Sequence, residues 1–149
     1  MDIKIISGDN PITVSEVSKR VGVENAEKFI SLEGLNEQQV IEAAEKYTVF
    51  GRVTPEQKAI LIRAMKAAGH TTAMTGDGVN DILAMKEADC SIAIGEGSDA
   101  ARRSAKLVLL NSDFSAVPSV IDEGRQSINN LERSKAINLD AAIIVKSLD

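Results

Sequence analysis

The chain has 149 residues, 44% of them apolar, and 17 Lys and Arg against 22 Asp and Glu leave a net charge of −5. That length supports one domain with a real core, while the acidic balance, the lack of a Lys/Arg cluster and the 3% aromatic content argue against nucleic-acid binding. Cys90 stands alone, which rules out an intrachain disulfide or a cysteine zinc site and fits a reducing, cytosolic environment. No signal-peptide pattern follows Met1, and the longest apolar run, Ala141 to Val145, is far too short to span a bilayer, so the chain reads as soluble.

In chain order, Ile3-Lys4-Ile5-Ile6 predicts a short strand running into Ser7-Gly8-Asp9. Thr13 and Glu16 have capping-box spacing, with Val14, Val17 and Val21 following at helical intervals. Phe29 to Leu32 reads as a minor strand. Asn36 and Gln39 cap a helix through Tyr47, with Val40, Ala43, Ala44 and Tyr47 facing inward. Val49-Phe50-Gly51 is a weak strand. Thr54-Pro55-Glu56-Gln57 then opens a helix, with an N-cap and a proline at the first helical position, and Gly69 closes it.

Thr72 to Thr75 is the next strand, ending in Gly76-Asp77-Gly78, and a helix from Asn80 to Ala88 follows. Ser91 to Ile94 is a strand, Asp99 to Ala105 a helix with a solvated Asp99, Arg102 and Arg103 face, and Lys106 to Leu110 a strand. Val117, Val120, Ile121, Gly124, Ile128 and Leu131 trace one face of a long final helix. Strand-turn-helix repeats with acidic or Gly-rich turns predict an α/β fold with a parallel, doubly wound sheet. The functional site of such a sheet lies at the carboxyl ends of its strands. Ser7 to Asp9, the region around Lys58 and Thr75 to Asp81 project there. His70 reads as a polar connector, Cys90 as a small buried residue, and Met65, Met74 and Met85 as core.

Thr75-Gly76-Asp77-Gly78-Val79-Asn80-Asp81 carries the clearest chemistry. Two carboxylates four residues apart at a strand-to-helix turn are hard oxygen ligands of the kind Mg²⁺ takes, alongside water and phosphate oxygens. The glycines let backbone N–H groups approach an anion at a helix N-terminus. A plain Asx turn would explain one of these aspartates, but not the set. Lys58 lies in the first turn of its helix, where the macrodipole disfavours a cation, and would neutralise phosphoryl oxygens at a strand-end site. Ser7-Gly8 could hold a phosphate oxygen through a hydroxyl and an N–H. By itself that segment is equally a strand-ending turn.

Together these segments resemble P-type ATPases in order and wording. Ser7-Gly8-Asp9-Asn10-Pro11-Ile12-Thr13, Gly51-Arg52-Val53-Thr54-Pro55-Glu56-Gln57-Lys58 and the Thr75 to Asp81 run all match. So do Leu83 to Asp89, Ile92 to Gly95 and Gly97 to Arg102, and the wording is most similar to bacterial pumps of the calcium-transporting type. The resemblance implies a Rossmann-like, three-layer haloacid-dehalogenase-like fold with a mainly parallel sheet, over a partial phosphorylation domain at residues 1–133. Residues 134–149 form a tail too polar for the expected membrane-directed helix. Asp77 is then the Mg²⁺ ligand, and Asn80 and Asp81 organise the phosphoryl group. Lys58, Ser7 and Gly8 contact its oxygens, and Asp9 helps arrange hydrolysis of an aspartyl phosphate. The phosphoryl group would come from ATP.

The resemblance also implies a nucleophile in an Asp-Lys-Thr-Gly-Thr motif after the central strand, and this sequence contains none. The nucleotide-binding and membrane segments of a parent pump are likewise its expected partners. Asp9 to Thr13 has the motif's Asp-to-Thr spacing in the wrong context, and Asp149 follows a β-branched run, Ile143-Ile144-Val145, usable as a permuted central strand. Loss of the central strand would expose two edges. The expectation is that the C-terminal segment fills the gap or that two chains pair. Other readings are a haloacid-dehalogenase-like phosphatase remnant and a non-catalytic Mg²⁺- or phosphate-binding module.

Overall fold

The computed structural model describes residues 2–109 and the backbone of a strand at 142–147. Among these residues seven strands form one sheet: β1 (Asp2–Ile6), β2 (Phe29–Ser31), β3 (Val49–Gly51), β4 (Thr71–Gly76), β5 (Cys90–Ile94), β6 (Leu107–Leu109) and β7 (Ala142–Ser147). Their order is β2-β3-β1-β7-β4-β5-β6, and every pairing is parallel. The expected gap between β1 and β4 is therefore filled from within the chain. Asp149, the residue considered for a permuted nucleophile, lies outside the described residues, as does the helix expected from Val117 to Leu131.

Among the described residues five α-helices flank the sheet: α1 (Pro11–Arg20), α2 (Glu37–Lys46), α3 (Pro55–Ala67), α4 (Ile82–Glu87) and α5 (Asp99–Ser104). Side-chain alternation along the strands divides the core in two. Ile5 and Val49 pack with Val14 and Ala26 on the α1 side. Ile6, Phe50, Met74 and Ala93 face the other way, onto Val40, Leu61, Ile62, Met65, Ala84 and Met85 of α2, α3 and α4. The predicted core methionines are all in this second cluster.

Local chemistry sets the helix starts. Asn36 with Gln39, and Thr54 with Gln57, close reciprocal capping boxes, and Pro55 occupies the first turn of α3. At α1 the expectation of a cap at Thr13 is overturned. Asn10 Oδ1 accepts the Ile12 N–H at 2.9 Å, and Pro11, which has no N–H to satisfy, begins the helix. The buried face follows from that start: Val14, Ser15 and Ser18 point inward, while Val17 and Val21 are exposed. Ser15 and Ser18 are tolerated there because their hydroxyls donate to Ala26 O and Val14 O, at 2.6 and 2.7 Å.

The helix expected from Asn80 to Ala88 begins instead as a 3-10 turn, Val79–Asp81, and becomes α-helical only at Ile82. His70 pairs with Glu45 at 3.2 Å, in keeping with a polar connector. Cys90 is half-buried, and burial pushes its thiol up from the ordinary value. Asp99 and Arg102 form an exposed ion pair on α5.

Candidate active site

The order of connections reverses in the middle of the sheet. β1 leads to strands on one side, and β4 leads to strands on the other. Loops leaving the carboxyl ends of β1, β3 and β4 therefore converge, as expected at a topological switch point. They carry Ser7 to Asn10, Arg52 to Thr54 and Asp77 to Asp81.

Lys58 and Asp81 form the core of the site. Lys58 is 1% exposed and Asp81 is fully buried, and Lys58 Nζ donates to Asp81 Oδ1 at 2.9 Å. The other carboxylate oxygen of Asp81 accepts the backbone N–H groups of Asp77 and Gly78, at 3.2 and 3.1 Å. One carboxylate thus joins the first turn of α3 to the loop after β4. Two charges removed from water need this degree of satisfaction. The 3-10 turn exists for the same reason, since Asp81 must fold back over Asp77 and Gly78.

Gly76 is required at that point. A Cβ there would stand 2.6 Å from Asp81 Cβ, so only glycine lets the carboxylate close onto the strand end. Gly97 has a comparable part that sequence patterns alone do not reveal. A Cβ on it would meet the Asp77 carbonyl oxygen at 2.6 Å, and the next residue, Ser98, donates its N–H to that carbonyl at 2.8 Å. The Gly95-Glu96-Gly97 turn after β5 is the one sequence signal for it. It buttresses the Asp77 loop from the far side.

Asp77 is half-buried, and its carboxylate takes part in no ion pair or hydrogen bond among the described residues. Asp81 is already committed to Lys58 and two amides. Asp77 is thus the carboxylate left over for a cation. Among the described residues no three acidic, His or Cys side chains converge. The donor set therefore fits Mg²⁺, which accepts one protein carboxylate with the balance from phosphate and water, and does not fit an all-protein cage.

On the other side of β7, Ser7 is fully buried, and its hydroxyl accepts the Asp9 N–H at 3.1 Å. Its backbone is pinned to β3, with the Ser7 N–H donating to Phe50 O and the Val53 N–H donating to Ser7 O. Gly8 and Asp9 are exposed at the rim. One intervening strand sets the β1 and β4 loops about 10 Å apart, twice the usual strand spacing. Of the predicted residues, then, the structure joins Lys58 to Asp81 directly and to the Asp77 loop through Asp81. Ser7, Gly8 and Asp9 face them from β1. Asn80 is exposed on the 3-10 turn and hydrogen-bonds to none of the other candidates among the described residues.

Residues 2–89 match the family model for haloacid dehalogenase-like hydrolases, and residues 58–121 match a second model of the same description. The chain belongs to the haloacid dehalogenase-like hydrolase family. Within this hydrolase family its similarity is to cation-transporting P-type ATPases. It is 51% identical over 129 residues to the probable cation-transporting ATPase exp7 of Streptococcus pneumoniae, covering 87% of this chain and 17% of that protein. It is 44% identical over 133 residues to the calcium-transporting ATPase CtpE of Mycobacterium bovis, covering 89% of this chain and 17% of that protein.

Among solved structures, two of the catalytic domain of the CPx-ATPase CopB-B are similar, both at 28% identity. One gives a TM-score of 0.61 over 80% of this chain and 38% of that chain, the other 0.63 over 83% and 40%. The haloacid-dehalogenase-like fold expected from the motifs is confirmed. The chain spans about a sixth of the length of these curated relatives. Among the described residues no helix is long and apolar enough to cross a membrane.

Proposed function

We propose that this chain is the phosphate- and Mg²⁺-handling part of the phosphorylation domain of an ATP-driven cation pump, on the cytoplasmic side of a cell membrane. The observation that carries this reading is the buried Lys58–Asp81 pair, locked onto the amides of the Asp77 loop at the carboxyl end of the sheet. Phosphoryl transfer asks a protein for positioning and charge neutralisation more than for covalent help. Lys58, held in place by Asp81, supplies positive charge to phosphoryl oxygens. Ser7 and Gly8 meet the same oxygens from β1, and Asp9, at the rim, orients the water that hydrolyses an aspartyl phosphate. Asn80, exposed beside the Asp77 loop, joins in organising the phosphoryl group. Mg²⁺ held by Asp77 would neutralise charge developing on the transferred group. The similarity to CtpE favours calcium as the transported ion.

In this reading the attacking carboxylate belongs to another segment of the pump, as do the nucleotide pocket and the membrane helices. The test is acyl-phosphate formation from labelled acetyl phosphate and Mg²⁺, with the segment bearing the Asp-Lys-Thr-Gly-Thr motif added in trans. A hydroxylamine-sensitive label on the added segment, lost with Asp77→Asn, is expected. Label that forms equally well with Asp77→Asn would overturn the assignment. Phosphate release from small phosphomonoesters by the chain alone would favour a haloacid-dehalogenase-like phosphatase instead.

A further inference from the structure

At the amino ends of the strands, away from the Ser7 and Asp77 loops, lies a cleft of about 460 Å³, a volume in the range of small-molecule sites. It is bounded by the start of β1, the turn after α1 and the residues between α2 and β3. None of the residues assigned to the phosphoryl site borders it. Register explains why the space exists. β1 and β3 pair only from Ile5↔Val49 onward, so Asp2, Ile3 and Lys4 extend past the start of β3. Ile5 and Ser7 donate their N–H groups toward β3, to Thr48 O and Phe50 O. Ile3 precedes them in that alternating series, so its N–H and C=O face the same side, where they have no partner among the described residues. One unused main-chain donor and one unused acceptor thus border the cleft.

Lys4 is the buried charge in the lining, only 9% exposed. Its Nζ donates to Tyr47 O at 2.6 Å, which uses one of three N–H groups. It forms no ion pair among the described residues, although Asp2 lies two residues away on the same face of β1. Burial holds the Lys4 ammonium below its ordinary value, Glu45 and Asp2 offset only part of this, and Lys28 adds to it. A buried cation in that condition lacks a close counter-ion. Thr48, also buried, has a hydroxyl that makes no hydrogen bond among the described residues. Asp2 is exposed and carries an unpaired carboxylate among the described residues, whereas Glu45 already meets His70. Ile3 and Val23 supply the apolar part of the lining. Its three lysines and three carboxylates are a balance that suits neither a polyanion nor a polycation.

We infer that this cleft binds a small zwitterion, a free α-amino acid with an apolar side chain. Its carboxylate takes the spare N–H groups of Lys4, the Ile3 N–H and the Thr48 hydroxyl, and supplies the counter-charge that Lys4 lacks. Its ammonium lies on the Asp2 carboxylate and the Ile3 carbonyl. Its side chain rests against Val23 and the Ile3 side chain. A ligand with one charge of each sign satisfies both ends of the cleft, where a simple anion would meet Asp2 and a simple cation would meet Lys4. This inference needs neither phosphate nor Mg²⁺, and its failure is separable from failure of the functional reading.

The test is an amide NMR titration of the full 149-residue chain with L-leucine. L-leucinamide and N-acetyl-L-leucine serve as analogues that each lack one of its charges. Saturable shifts at the Ile3, Lys4 and Thr48 amides are expected with leucine. Both analogues should bind at least about tenfold more weakly, each having lost a charge-assisted contact. Lys4→Met should weaken leucine to the same degree. Asp2→Asn, at an exposed position, should weaken leucine and leave N-acetyl-L-leucine unchanged, and it decides the matter if Lys4→Met does not fold. The absence of saturable shifts at these amides would overturn the proposal. So would equal affinity for leucine and leucinamide, or leucine binding that a folded Lys4→Met or Asp2→Asn leaves intact.

Discussion

Lys58 Nζ lies 2.9 Å from Asp81 Oδ1, across the junction of α3 and the loop after β4, with both side chains closed to solvent. The pair fixes two elements 23 residues apart in sequence. It also commits the Asp81 carboxylate, while that of Asp77 has no ion pair or hydrogen bond among the described residues.

Breaking that pair should be costly. Lys58→Met leaves a buried carboxylate without its counter-charge, and a loss of about 3–5 kcal/mol is expected. Asp81→Leu should cost at least as much, since it removes the Lys58 counter-charge and also leaves the Asp77 and Gly78 amides without their acceptor. Because the groups act as one unit, the double variant should lose much less than the two single losses added together. Urea midpoints of the four proteins measure this. Additive losses would mean that the pair is not coupled in solution.

Gly51→Ala tests the seam between β3 and the start of α1. A Cβ at Gly51 would stand 2.5 Å from Pro11 N and 2.6 Å from Pro11 Cα, and backbone cannot yield as a flexible side chain can. Destabilisation on the order of 2 kcal/mol or more is expected, from forced backbone displacement in a packed interior. Gly22→Ala, at an open position with φ +85°, should cost only the strain of its left-handed backbone, roughly 1 kcal/mol. Thermal melts that ranked Gly22→Ala the worse of the two would refute the steric account.

Lys4 gives a pH dependence of defined sign. Burial holds its ammonium below the ordinary value of 10.5, opposed by Glu45 and Asp2 and reinforced by Lys28, while Nζ donates to Tyr47 O at 2.6 Å. Between the lowered folded value and 10.5 the unfolded chain binds more protons than the native one, so the stability due to this group rises with pH across that window. Below the window the cost of the buried charge is present in full. The wild type should therefore gain on Lys4→Met as pH climbs through the alkaline range. A stability difference that stays flat with pH would show that Lys4 keeps its ordinary proton affinity in the fold.

Much of the local architecture is legible in short runs of residues. The capping boxes at Asn36 and Thr54 and the proline at the start of α3 act through neighbours three or four residues away, and each is readable as a pattern. The α1 start is ambiguous by pattern because Thr13-Glu16 and Asn10-Pro11 offer competing caps. Only the side chain that bonds its own N-terminal turn settles which one operates. Gly97 does not stand out in the sequence as a site residue because its reason is a contact with Asp77, in the loop after a different strand.

The sequence by itself determined the alternating α/β order, the family wording around Ser7, Lys58 and Asp77, and the lack of an Asp-Lys-Thr-Gly-Thr run in these residues, because each is written in adjacent residues. The tertiary structure decided the rest. It assigned Asp81 to Lys58 and two amides, left the Asp77 carboxylate without a partner among the described residues, and put β7 between β1 and β4. Burial, counter-charge and strand pairing depend on which distant segments meet, and no local pattern carries that information.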